Sequence, residues 1–151
     1  MDPSTAPAGL WALPSWLLNQ AAQAGNRLVG ARLGRSGLRT YHFSTLLALG
    51  ENGPASQAEL GRRLWMDRSD TAEVVADLER AGYVSRRRDP TDLRRNVVAL
   101  TPDGGAALER LAAEVARAQD ELLAPLAPEE REALVRLLTR VVEHHRSRQG
   151  A

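Results

Sequence analysis

The sequence RRRDPTDLRRNVVALT at residues 86–101 has the pattern of a β-hairpin with a basic tip. An arginine-rich strand leads into a Pro-containing turn, and a second strand with alternating apolar residues follows it. Thr101 and Pro102 then predict the start of a helix, because Pro is favoured at the first helical position. Two pairs of residues on the second strand can face the core, Val97 with Ala99 or Val98 with Leu100. This order of strands and helix is typical of the wing of a winged helix.

Two short helical segments are predicted immediately upstream of the hairpin. Ser56 and Glu59 have the spacing of a capping box, which begins a first short helix. Asp67 is a suitable cap for a second helix over 68–81, and Gly82 is its expected C-terminal stop. Two helices joined by about three residues form a helix-turn-helix. With the wing behind it, this motif indicates a protein that binds duplex DNA.

The net charge of +1 is unevenly distributed along the chain. All 20 positive charges are Arg, and 19 acidic residues nearly balance them. Residues 85–95 contain five Arg against Asp89 and Asp92, a net charge of +3, whereas residues 101–146 carry −3. Positive charge is therefore concentrated on the hairpin, where it suits contact with DNA phosphates. A solvated edge strand protected from aggregation is the alternative explanation.

Several classes of site are not supported by the sequence. It has no Cys, and no carboxylate cluster joins His42, His144 and His145, so we expect no metal site. No Gly-rich phosphate loop or nucleophile elbow is present, so we expect neither a cofactor nor an enzyme. The apolar N-terminal stretch is interrupted by Pro14, which excludes a signal peptide or membrane span. We expect a soluble, cytoplasmic protein that binds no membrane.

The chain is predicted to be mainly α-helical with a small β-hairpin wing, an α+β fold in which terminal helices flank a winged helix-turn-helix head. These helices carry more apolar surface than one small head can cover, which indicates a homodimer. Four parts are predicted: a flexible N-terminal tail at 1–13, an N-terminal dimerisation helix at 14–36, a DNA-binding winged helix-turn-helix region at 37–100 with the wing at about 84–100, and C-terminal dimerisation helices at 101–147.

The ordered set of motifs resembles the MarR family of bacterial winged-helix regulators. Three segments are similar to parts of this family's DNA-binding region. SQAEL at 56–60 and DRS at 67–69 are similar to the starts of its two helix-turn-helix helices, and LERAGYV at 78–84 is similar to the segment that leads into its wing. DPTDLRR at 89–95, followed by Leu100, Thr101 and Gly104, resembles its wing signature, where an Asp-x-Arg unit is characteristic. The resemblance implies a homodimer that binds a pseudo-palindromic double-stranded DNA operator and usually acts as a transcriptional repressor.

The expected DNA contacts lie on three elements. Ser56 and Gln57 are placed at a helix N-terminus, where amide groups favour a phosphate, although capping alone also explains them. On the recognition helix the expected contacts, in or beside the major groove, are Arg68, Ser69, Asp70 and Glu73. On the wing they are Arg94 in the minor groove, aimed by a bidentate pair with Asp92, and Arg86, Arg87, Arg88 and Arg95 on the DNA backbone.

The recognition helix departs from the family pattern at its exposed positions. Relatives often carry Thr and basic residues there, whereas this chain has Asp70, Ala72, Glu73 and Asp77. Acidic side chains repel phosphates, but they also accept hydrogen bonds from cytosine N4. The operator sequence therefore does not follow from the resemblance.

The resemblance also suggests a small-molecule pocket between the DNA-binding heads and the dimer base. Its candidate lining is Trp16, Tyr41, His42 and Trp65, which suits a small lipophilic or aromatic effector, with ordinary core packing as the alternative. A second function is compatible with the sequence. The chain would then be a winged-helix protein-interaction module that uses its acidic recognition helix to bind a partner protein and does not bind DNA specifically.

Overall fold

The computed structural model describes residues 5–150 as helices arranged around a small antiparallel sheet. In chain order the elements are α1 (Ala8–Trp11), α2 (Pro14–Gly34), α3 (Thr40–Asn52), β1 (Ala55–Ser56), α4 (Gln57–Leu64), α5 (Arg68–Arg80), β2 (Val84–Arg88), β3 (Asn96–Leu100), α6 (Pro102–Leu122) and α7 (Pro128–Gln149). This order confirms the mainly helical fold with a hairpin wing.

Two details differ from the sequence-based expectation. One turn of helix, α1, lies within the segment predicted as a flexible tail, and residues 1–4 of that tail lie outside the described part of the chain. Trp11 in α1 packs edge to face against Trp16 in α2, with ring centroids 5.2 Å apart. The sheet also has a third strand, β1, which pairs with β3. Strand β3 is therefore central, in the order β1-β3-β2.

The core lies between α3, α4, α5, the sheet and α6. On α5 the apolar residues Val74, Val75 and Leu78 are all buried and face this core. On β3 the residue with no exposed surface is Val98, and Leu100 packs against the core, which decides between the two inward-facing pairs. The other fully buried large side chains of this core include Leu46, Leu60 and Leu111. This packing fixes the recognition helix α5 against the sheet that carries the wing.

The start of α6 anchors the base of the wing. The backbone N–H of Gly104 donates to Oγ1 of Thr101 at 3.0 Å, and that hydroxyl donates to the carbonyl of Gly82 at 2.6 Å. A Cβ on Gly104 would lie 1.9 Å from the carbonyl oxygen of Tyr83. Only Gly allows this close approach of helix and strand backbone. The wing and the long helix α6 therefore have a fixed relative position.

The terminal helices leave apolar side chains in solvent. Helix α2 packs against α6, where the guanidinium of Arg32 pairs with Glu114 and Glu121. Helix α7 has no buried residue. Exposed large apolar side chains on these outer elements are Trp11, Leu13, Leu17, Leu18, Val135, Leu137, Val141 and Val142. No helix within residues 5–150 has the length and apolar character needed to span a membrane.

Candidate nucleic-acid interface

A cleft of about 800 Å³ lies between α4, the first turns of α5 and the wing. Five of the predicted contact residues line it: Ser56, Gln57, Arg68, Arg94 and Arg95. The fold thus brings together residues from three separate elements of the chain. Three further polar residues of the cleft are not among the predicted contacts, namely Arg62, Thr71 and Asn96. The sequence does not predict that Arg62 faces the cleft, because this depends on where the wing lies relative to α4.

The N-terminus of α4 is tied to the wing through its cap. Oγ of Ser56 accepts from the N–H of Glu59 at 3.2 Å, and Oε2 of Glu59 accepts from the N–H of Ser56 at 3.2 Å, which confirms the capping box. Nη2 of Arg95 lies 3.1 Å from Oε1 of the same Glu59. The hydrogen bond from the Ser56 backbone is the main cause that lowers the pKa of Glu59, and Arg95 adds to it. Arg95 therefore braces the wing as well as facing the cleft.

The recognition helix begins with exposed polar side chains at the cleft. Oδ1 of Asp67 accepts from the N–H of Asp70 at 2.7 Å, so the predicted cap is confirmed. Arg68 and Ser69 follow it and are exposed, and Arg68 has no hydrogen-bonding or ionic partner within residues 5–150. Glu73 is also exposed, but Nη2 of Arg39 lies 3.6 Å from its Oε1. Arg68 thus adds a positive charge beside the carboxylates of Asp67 and Asp70, and the charge of Glu73 is compensated by Arg39.

The three arginines of strand β2 have different environments. Arg86 donates to Oε1 of Gln57 and to both carboxylate oxygens of Glu79, at 3.0 to 3.4 Å. This hydrogen bonding by Arg86 lowers the pKa of Glu79. Arg87 and Arg88 have no such partner among the described residues. Arg86 therefore joins the wing to α4 and α5, whereas Arg87 and Arg88 are available to a ligand.

A short turn at the wing tip presents Arg94 to solvent. Thr91 donates from its backbone N–H and its hydroxyl to Oδ1 of Asp89, at 2.8 and 2.7 Å, and these bonds lower the pKa of Asp89. Arg94 follows with its side chain 92% exposed. Its expected bidentate pair with Asp92 is wrong in detail, since only Oδ1 of Asp92 accepts, from the backbone N–H and from Nε. Among residues 5–150, the two terminal nitrogens of Arg94 have no partner, so they are available to a ligand.

The four residues predicted to line a small-molecule pocket have separate surroundings. His42 is buried, and its ring nitrogens contact the Arg39 backbone and Asp77. Trp65 is 57% exposed and lies under the guanidinium of Arg146, 3.6 Å from the ring centroid. Tyr41 is exposed and Trp16 is half-buried. None of the four lines the cleft beside the wing or a second groove of about 770 Å³ along α7.

Comparison with known proteins matches both the sequence and the fold to one family. The sequence profile of the MarR family matches residues 36–95. A protein of Thauera aromatica, named as a putative transcriptional regulatory protein for the hcr operon, is 35% identical over 99 residues. That match spans 66% of this chain and 60% of the relative.

Solved structures extend the match to nearly the whole chain. A protein of Pseudomonas aeruginosa described as a probable transcriptional regulator is 37% identical, with a TM-score of 0.79 over 85% of this chain and 96% of its own. BpsR of Bordetella bronchiseptica, whose DNA binding is regulated by 6-hydroxynicotinic acid, is 26% identical, with a TM-score of 0.81 over 91% and 98%. A mutant of MarR from E. coli complexed with operator DNA is 25% identical, with a TM-score of 0.77 over 90% and 99%.

Proposed function

Because this chain belongs to the MarR family of transcriptional regulators, we propose that it is a sequence-specific DNA-binding repressor. It acts as a homodimer on a pseudo-palindromic operator, and a small lipophilic or aromatic effector changes its affinity for DNA. Its role is binding and not catalysis.

The observation that carries this proposal is the set of exposed arginines on the recognition helix and the wing. Within residues 5–150, the side chains of Arg68, Arg87 and Arg88 have no hydrogen-bonding or ionic partner, and Arg94 is bonded only through its backbone N–H and Nε. They lie on the two elements that a winged helix uses for DNA, since the recognition helix enters the major groove and the wing reaches the backbone and the adjacent minor groove. In this proposal Ser69 and Asp70, in the first turn of α5, border the major groove, and the N-terminus of α4 at Ser56 and Gln57 binds a phosphate.

The homodimer follows from the exposed apolar side chains of the outer helices. Residues 14–36 and 101–147 form the dimer base in this proposal, and residues 37–100 form the reading head. Each large aliphatic side chain removed from water contributes roughly 1.5–3 kcal/mol. The exposed residues of α2 and α7 therefore favour association of two copies, and a two-fold axis places two reading heads on two half-sites.

The effector is proposed by analogy with BpsR, whose DNA binding is regulated by a hydroxylated pyridine carboxylic acid. Trp16, Tyr41 and Trp65 each keep exposed or half-exposed aromatic surface, and since their surroundings are separate, each is an individual candidate for stacking on such a ring. Binding between the heads and the base would change the spacing of the heads and hence the fit to the operator.

Selection of bound genomic fragments with the purified full-length protein tests the function. We expect a narrow set of fragments that share an inverted repeat. Their affinity should fall with salt by about 0.9 log units per tenfold change in salt for each phosphate neutralised. The competing function, a protein-interaction module, predicts no enriched sequence and only weak binding that is equal for all duplexes.

A further inference from the structure

Two acidic side chains of the recognition helix are directed at the start of α3. Glu73 and Asp77 are four residues apart on α5, so they lie on the same face of that helix, one turn apart. Oε1 of Glu73 lies 3.6 Å from Nη2 of Arg39, and Oδ2 of Asp77 lies 2.9 Å from Nε2 of His42. The residues that take up the two carboxylates, Arg39 and His42, form the N-cap and the third residue of α3.

His42 has both ring nitrogens in hydrogen bonds. Nδ1 accepts from the backbone N–H of Arg39 at 2.9 Å, so the ring proton is on Nε2 and is donated to Asp77. Only 3% of the His42 surface is exposed, and the Asp77 side chain is partly buried. The bond from His42 is the main cause that lowers the pKa of Asp77. A charge-assisted hydrogen bond in such a site is directional and poorly accessible to water.

The hydrogen bonds from Arg39 through His42 to Asp77 begin where the helix-turn-helix region joins α2. Arg39 follows the turn between α2 and α3, in which Gly37 adopts a positive φ of 70°. The backbone N–H of Arg39 is hydrogen bonded to the His42 ring, which is bonded in turn to Asp77. The side chain of Arg39 pairs directly with Glu73. The amide dipoles at the N-terminus of α3 further favour the two carboxylates.

Apolar packing alone does not define this arrangement. Val74, Val75 and Leu78 hold α5 against the core, but hydrophobic contacts are non-directional and tolerate small rotations of a helix. A hydrogen bond of 2.9 Å loses strength when its angle or length changes, so the bond between His42 and Asp77 opposes such a rotation.

We propose that His42 is a positioning residue for DNA recognition, which holds α5 through Asp77 and fixes its orientation to the junction of α2 and α3. The pair of Glu73 with Arg39 is longer and both side chains are mostly exposed, so it adds little to this placement. On this proposal Asp77 orients the helix and does not read bases. The proposal rests on the proposed function, since the consequence for DNA matters only if α5 reads an operator.

The test uses full-length variants and two DNAs, the selected operator and a random duplex. His42→Phe keeps an aromatic side chain of similar volume without the hydrogen bond, and Asp77→Ala removes the acceptor from the more exposed side. We expect each to weaken operator binding about tenfold while random-duplex affinity changes less than about twofold, since phosphate contacts are unaffected. Asp77→Asn keeps an acceptor oxygen and should stay within about threefold of wild type.

Arg80→Ala is the matched control, because Arg80 also pairs with Asp77 but lies on α5 itself and does not reach α3. It should leave the ratio of operator to random-duplex affinity unchanged. An equal loss on both DNAs in His42→Phe and Asp77→Ala, or no loss on either, overturns the proposal.

Amide hydrogen exchange of the free proteins gives a readout that does not depend on DNA. His42→Phe and Asp77→Ala should speed exchange in α5 and in the first turn of α3, with α6 unchanged. Unchanged exchange in α5 would overturn the link. If wild type shows no operator preference, the proposed function fails, and the exchange comparison still decides whether His42 holds α5.

Discussion

Oδ1 of Asp92 accepts two hydrogen bonds from Arg94, one from the backbone N–H at 3.1 Å and one from Nε at 3.3 Å. A single carboxylate oxygen thus fixes both the turn and the start of the guanidinium. The terminal nitrogens of Arg94 are left unpaired on a side chain that is almost fully exposed. An exposed pair of this kind adds little to stability, so its consequence is the direction in which Arg94 points.

Replacing Arg94 with Ala should therefore impair DNA binding far more than folding. We expect a loss of about 1–3 kcal/mol of operator binding and a salt slope lower by about one if a phosphate is contacted. The stability change should stay within about 0.5 kcal/mol. Asp92→Ala should reproduce part of the defect, because Arg94 keeps its charge but loses its orientation. Operator titrations over a salt series, together with thermal unfolding, measure both effects.

The control is Arg110→Ala, which removes an equally charged, exposed side chain on α6 that does not line the cleft. It should leave the operator affinity near that of wild type. Equal affinities of Arg94→Ala and wild type, with the same oligomeric state, would contradict a DNA contact at the wing tip.

The features that could be predicted from sequence are those decided by neighbours along the chain. The caps at Ser56, Asp67 and Thr101 are all confirmed, because each is a hydrogen bond to an N–H three residues away. Partners distant in sequence could not be predicted in this way. The bond between His42 and Asp77 spans 35 residues and depends on how α3 crosses α5. Strand β1 was missed because two residues show no periodicity.

The close approach of Gly104 to Tyr83 predicts a severe effect of a single methyl group. In Gly104→Ala the new Cβ meets a backbone carbonyl at 1.9 Å, so the strand and helix must separate. We expect a loss of roughly 3 kcal/mol or more of folding stability, or failure to fold.

Gly105→Ala is the matched control, since a Cβ there has no neighbour within 4 Å and Ala is the better helix former by about 1 kcal/mol. In urea unfolding, the free energy of unfolding should be lower than that of wild type for Gly104→Ala and higher for Gly105→Ala. Similar midpoints for the two variants would contradict the geometry.

The lowered pKa of Glu59 predicts a dependence of stability on pH. A carboxyl that is more acidic in the folded state stabilises it above the unfolded pKa of about 4.3, and this contribution is lost as the pH falls through the folded pKa. Wild type should therefore unfold at a higher temperature than Glu59→Gln near neutral pH, and the difference should shrink below about pH 4.3. Glu109→Gln, at an exposed position on α6, is the control. A constant difference between Glu59→Gln and wild type across this range would show that the charge of Glu59 is not involved.

Trp65 is the one non-glycine residue of the described chain with a positive φ, 56°, and it ends α4 in the turn before the recognition helix. That conformation costs an L-residue about 1–2 kcal/mol, whereas stacking of Arg146 on an exposed ring returns about 0.5–1 kcal/mol. We expect Trp65→Gly to be more stable than Trp65→Ala, because Gly adopts a positive φ without strain. Trp65→Ala should be less stable, since it keeps the strained backbone and loses the ring. Denaturant midpoints decide the order, and a Gly variant less stable than the Ala variant would contradict it.

The apolar stripe of α7 predicts that a single charge disrupts the proposed dimer. Leu137 and Val141 are four residues apart on one face and remain about half exposed in the single chain. If a second copy covers this face, Val141→Asp places an unpaired carboxylate in the interface, which costs several kcal/mol. We expect the dissociation constant of the dimer to rise at least tenfold, and operator affinity to fall with it, because two half-sites are no longer bound together. Ser147→Asp adds the same charge to the same helix on the side away from the exposed apolar residues, and it should leave the proposed dimer intact. Sedimentation equilibrium of both variants measures the change, and a dimer equally stable in Val141→Asp and wild type would place the interface elsewhere.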